Sequence, residues 1–156
     1  MNNNELTNIE IEKILNKKKI KINGIFMRDE LKNFNKKGFY IINLDKSTST
    51  GTHWCVIYKN DKTFYFDSYG FPPPEEIQNI IKPYIFSNKN IQDINSSSCG
   101  YYVILFILYF NKNKHRDDIE TFQDFINFFN DDNSLNVNMK NEFILYKLLS
   151  NYGVII

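Results

Sequence analysis

Four side chains suited to thiol chemistry follow one another along this chain: His53, Asp67, Gln92 and Cys99. A cysteine can attack a carbonyl carbon once its proton is taken, an imidazole can take that proton, and a carboxylate can fix the imidazole's tautomer and orientation. A glutamine amide can donate to the oxyanion that then forms, alongside a backbone N–H at the nucleophile itself. The local settings are Gly51-Thr52-His53-Trp54, Phe66-Asp67-Ser68-Tyr69-Gly70-Phe71 and Gln92-Asp93-Ile94-Asn95-Ser96-Ser97-Ser98-Cys99-Gly100. Each residue also has a plainer reading. Cys99 would serve as an inert core thiol, His53 as a hydrogen-bonded structural histidine, Asp67 as a turn initiator, and Gln92 as a surface amide. Trp54 would ordinarily belong to a core but can wall a substrate groove. A metal reading, with His53, Cys55 and Cys99 as ligands, lacks a C-x-x-C pair and a familiar donor set. No cofactor is expected.

These residues need elements to hold them. The apolar spacing of residues 2–19 predicts a helix, with Thr7 or Asn8 as its cap. Residues 26–34 suit a second short helix. Residues 38–44 (GFYIINL) read as a strand buried on both faces, and 53–58 and 63–66 as two strands joined by a tight turn. That hairpin would return Asp67 to the level of His53. Three prolines at 72–74 precede a helix over 75–84, and 89–94 read as a short strand. From Cys99 an apolar helix runs to about residue 111, which puts the thiol at a helix start, where unpaired N–H groups favour a thiolate. Two more helices fit residues 119–129 and 137–150. The sum is one α+β domain over 1–156, a small mixed sheet flanked by helices, with Cys99 opening a buried helix.

Composition bounds the rest. With 156 residues, 42% hydrophobic content, ten Tyr and fourteen Phe, the chain can bury a sizeable core. A net charge of +1 gives no overall bias toward nucleic acid. The cluster Lys17, Lys18, Lys19 and Lys21 reads as a solvated helix end or as a weak DNA phosphate contact. Two cysteines are too few for a disulfide framework and suit a reducing compartment. The polar start gives no sign of a secretory leader, and the apolar run 101–110 is too short to span a bilayer.

The order His, acid, Gln, Cys resembles that of the adenovirus-type maturation proteases, adenain and its relatives, in the clan of the SUMO- and ubiquitin-like-protein-specific proteases. Gly51-Thr52-His53-Trp54 is similar to that family's G-x-H-W. Residues 65–71 look like its acid segment, and Gln92 through Gly100 like its nucleophile segment with the same Gln-to-Cys spacing. Residues 24–31 (GIFMRDEL) resemble a segment of relatives from virophages, Polinton-type elements and large DNA viruses. The resemblance covers roughly residues 24 to 110. It implies an adenain-like fold, His53 as base, Asp67 as its orienter, Cys99 as nucleophile, Gln92 in the oxyanion hole, and Trp54 and Gly51 at the substrate. It further implies cleavage of capsid or other virion precursor proteins, inside the host cell at the assembly site and in the virion, by a monomer. Adenain carries Glu where this chain has Asp67, and it is stimulated by a disulfide-linked peptide and by DNA. With Cys55 in a core strand, no surface thiol is expected for such a link. Two alternatives keep the fold: a ubiquitin-like-protein deconjugase and a non-catalytic binding protein. A third, a nucleic-acid-binding module, would rest on the lysine cluster.

Overall fold

The computed structural model describes residues 5–45, 53–93, 95–131 and 135–155. Its elements run α1 (Asn8–Lys17), β1 (Gly24–Met27), β2 (Gly38–Asn43), β3 (Trp54–Lys59), β4 (Thr63–Phe66), α2 (Glu75–Ile81), β5 (Ile85–Phe86), α3 (Cys99–Lys112), α4 (Asp118–Asn127) and α5 (Leu135–Asn151). The five strands form one sheet in the order β1-β2-β3-β4-β5. Its middle pairings are antiparallel, and both outer pairings, β1 with β2 and β4 with β5, are parallel. This is the α+β architecture with a mixed sheet expected from the sequence.

The central strands alternate between two cores, as the period-two geometry of a strand requires. Phe39, Ile41, Trp54, Val56, Phe64 and Phe66 face one side, packed with side chains of α1, α3, α4 and α5. Tyr40, Ile42, Cys55, Ile57 and Tyr65 face the other, against Ile77 and Ile81 of α2 and Leu31. Burial on both faces explains why β2 reads as a continuous apolar run. Helix α3 is apolar nearly all round and threads the larger core, as a fully buried helix must. At its middle Phe106 stacks on Phe66 (ring centroids 5.3 Å, 5° between planes) and on Phe110 (4.3 Å), and meets Phe125 edge-on. Phe106→Ala should cost about 3–5 kcal/mol of stability, from lost burial and an uncollapsed cavity. Urea unfolding at constant m-value checks this.

Helix α1 begins on Thr7, whose hydroxyl accepts the Glu10 N–H while the Glu10 carboxylate takes the Thr7 N–H, a reciprocal capping box. The cap fixes a helix shorter than the 2–19 span expected. The lysine cluster follows its last turn: Lys17 ends the helix and Lys18 caps it, where the dipole favours cations. Helix α2 stops at Ile81 rather than 84, because Pro83 drives Lys82 into an extended conformation.

Two expected elements are corrected. The segment 26–34 is not a helix. Gly24–Met27 pairs in parallel with Tyr40–Asn43, and Arg28–Glu30 turns, with the Glu30 carboxylate accepting the Met27 N–H at 2.8 Å. A non-local partner strand outweighed local periodicity. The described part of 89–94 is not a strand either; the edge strand is Ile85–Phe86. The Ile91 and Gln92 N–H groups both donate to the Ser68 carbonyl (3.0 and 3.1 Å), so this segment is tied to a turn, not to a ladder.

Candidate active site

Strands β3 and β4 are in register with Val56 opposite Phe66 and Ile57 opposite Tyr65. Continuing that register one step sets Cys55 across from Asp67, with His53 two residues earlier on the same side. His53 Nε2 lies 2.7 Å from Asp67 Oδ1, in a buried contact. The same Oδ1 accepts the Tyr69 N–H at 2.7 Å, and the Gly70 N–H donates to the Asp67 carbonyl at 2.9 Å. Asp67 is therefore a turn initiator and the imidazole's partner at once; the two readings offered by the sequence are one geometry. Gly70 is required here, since its φ is +78° and a Cβ would stand 2.6 Å from the Asn88 carbonyl oxygen. The Tyr69 ring lies flat on the imidazole, with centroids 4.0 Å apart and planes within 9°.

The other imidazole nitrogen, Nδ1, is buried without a conventional hydrogen-bond partner. It is the nitrogen left for Cys99, whose thiol interacts with the ring. The two groups adjoin without a closed hydrogen bond, a common arrangement where substrate tightens the contact. Burial works against the protonated imidazole. The negative charge of an ionised Cys55, the hydrogen bond to Asp67 and the neighbouring Cys55 and Cys99 thiols work for it and prevail, so His53 is held well above its ordinary 6.5. Burial and the Asp67 charge push the Cys55 thiol up to about 12, so it is neutral near pH 7. The lasting support for an imidazolium is thus the Asp67 carboxylate.

Cys99 is the first residue of α3, so its N–H has no acceptor within the helix. The loop before it is fixed from α5: the Glu142 carboxylate accepts the hydroxyls of Ser96 and Ser98 (3.0 Å for Ser98), and Tyr146 bonds the Ser98 hydroxyl at 2.9 Å. Gly100 admits Leu6, whose Cβ would be 3.0 Å from a Cβ at this position. Gln92 is fully buried. The Ser68 hydroxyl donates to its Oε1, and its Nε2 donates to the Ser96 carbonyl at 2.9 Å. One Nε2 hydrogen serves that bond, and the amide has a second. Gln92→Ala should lower kcat by about 10²–10³, equivalent to about 2.7–4 kcal/mol of transition-state stabilisation. Single-turnover kinetics on a cleaved peptide, at a temperature where circular dichroism shows the variant folded, would establish it.

Trp54 is buried, and its indole N–H donates to the Leu6 carbonyl at 2.8 Å, so the segment before α1 braces it. Gly51 lies outside the described residues. Sequence reasoning missed Ser68, Glu142 and Tyr146. Ser68 adjoins Asp67 in the chain, and that adjacency was its one available signal.

Among the described residues, His53, Cys55 and Asp67 are the set whose donor atoms, all within 4.8 Å of one another, could hold a metal ion. The chemistry fits poorly. The 2.7 Å imidazole–carboxylate contact is closer than two ligands of one zinc ion stand, and the thiol holds its proton to about pH 12. The arrangement suits proton transfer to and from an adjacent thiol.

No protein-family model and no curated protein matches the sequence. Among solved structures, the chain is similar to the selenomethionyl ASFV pS273R protease, with a TM-score of 0.51 and 19% identity over 80% of this chain and 68% of that one. The two share a fold.

Proposed function

We propose that this protein is a cysteine endopeptidase that processes virion precursor proteins. The observation that carries the reading is the buried 2.7 Å contact of His53 with Asp67, set against the cysteine that opens α3. The fold it shares with a protease supports it, as does the likeness of the 51–54, 65–71 and 92–100 segments to the adenain group. In the reaction, the Cys99 proton passes to His53 Nδ1 and the sulfur attacks the scissile carbonyl carbon. The oxyanion is met by the Cys99 N–H and the second Gln92 Nε2 hydrogen. His53 then protonates the departing amine, leaving a thioester. Water attacks that thioester as His53 takes its proton, and the carboxylic acid leaves with the Cys99 thiol restored. Trp54 and Gly51 would border the substrate.

Activation by a disulfide-linked peptide does not fit this chain, because both cysteines, Cys55 and Cys99, are buried. A DNA contact through Lys17, Lys18, Lys19 and Lys21 is a separate proposal; it would show as steeply salt-dependent binding. The function is tested by co-expressing the protein with the structural proteins encoded beside it and mapping new termini by mass spectrometry, in parallel with ubiquitin-like fusions. New termini in capsid or other virion proteins, absent with Cys99→Ala, support the reading. Cleavage of the fusions alone would make the protein a deconjugase. No Cys99-dependent cleavage of either would remove the protease reading.

A further inference from the structure

Four buried side-chain atoms among the described residues lack a hydrogen-bond partner of good geometry, and two of them, Tyr65 Oη and Asp67 Oδ2, lie on the same sheet face. Such atoms are seldom left without a neighbour that satisfies them in part. The group between them is the Cys55 thiol. The β3–β4 register places Cys55 directly across from Asp67 and diagonally from Tyr65, and its sulfur is within 4.8 Å of donor atoms of both His53 and Asp67. Cys55 and Tyr65 are fully buried among Ile42, Ile57 and Ile77, so no bulk water competes for these contacts.

We propose that Cys55 is a positioning residue for the His53–Asp67 pair: the Tyr65 hydroxyl donates to its sulfur, and the thiol so held packs behind the imidazole and the carboxylate as Tyr69 covers the ring in front. The inference rests on the proposed protease reading for its kinetic consequence and on geometry alone for its structural one. A thiol suits the place. It is small enough to sit between the sheet and α2, and burial keeps it protonated near neutral pH, so it adds no second negative charge beside the carboxylate. An alanine would open a space behind the pair and leave the imidazole and the carboxylate freer to turn. A serine would restore a hydroxyl of similar size.

The test compares wild type with Cys55→Ala, Cys55→Ser and Tyr65→Phe, each checked by thermal melting. Proton NMR of the substrate-free protein reads the low-field resonance of the His53 Nε2–H held by Asp67. It should be sharp in wild type and Cys55→Ser, and broadened by solvent exchange in Cys55→Ala. In peptide cleavage, kcat should fall about 10-fold in Cys55→Ala and several-fold in Tyr65→Phe, with KM unchanged, while Cys55→Ser stays within 2-fold of wild type. Equal kcat and an equal resonance in the alanine and serine variants, in either direction, would overturn the proposal. If wild type cleaves nothing, the resonance alone decides: its retention in Cys55→Ala overturns the positioning role, and its selective loss there upholds it while only the protease reading fails.

Discussion

Cys99→Ala should abolish the proposed peptide cleavage and leave the fold intact. The sulfur is the one atom in this site able to form the acyl intermediate; the other thiol, Cys55, faces α2 and is pushed to about 12. The substitution removes a single heavy atom at the first turn of α3. The aromatic packing that holds this helix lies further along, at Phe106 and Phe110, and alanine favours a helix. We expect residual cleavage below about 10⁻⁵ of wild type, in line with the loss of a nucleophile in other acyl-transfer enzymes, and a melting temperature within a few degrees. Activity by quenched-fluorescence peptide assay and melting by circular dichroism measure the two halves separately.

Asp67→Asn has the second largest effect, a fall in kcat of about 10²–10⁴. The amide keeps the shape of the carboxylate, and its oxygen can still accept the Tyr69 N–H that fixes the turn. It cannot keep the charge. Burial then acts on His53 without its main opposing partner, so the imidazole falls from its raised value back toward or below 6.5. The sign follows: with Asp67 in place the imidazolium persists to higher pH, and in the variant it is lost at lower pH. The pH profile of kcat/KM should therefore move to lower pH on the limb set by imidazolium loss. An unmoved profile would mean that Asp67 acts through the turn alone.

The hairpin that carries His53 and Asp67 was legible because its two strands are apolar, short and joined by a three-residue turn, so local pattern set the register. Helix α3 was legible through the length of its apolar run, and the start of the helix then placed Cys99. The strand β1 was not. GIFM followed by charged residues suits a helix start, and what decides its conformation is the parallel pairing with β2, each residue with one sixteen positions on. The supports of the site were hidden for the same reason. Glu142 reaches Ser96 and Ser98 across more than forty residues, and Tyr146 joins Ser98 likewise. Ser68 earns its place only once Gln92 is folded against it. Chemistry-bearing residues announce themselves by type and order; the residues that hold them depend on tertiary contacts that no local window contains.

The most direct measurement of the central claim is the rate at which a small thiol reagent labels each cysteine in the native protein near pH 7, followed by peptide mapping. Iodoacetamide should modify Cys99 at least tenfold faster than Cys55, and His53→Ala should slow the Cys99 reaction while leaving that of Cys55 unchanged. Labelling of both cysteines at one rate, or of Cys99 at a rate indifferent to His53, would contradict the account.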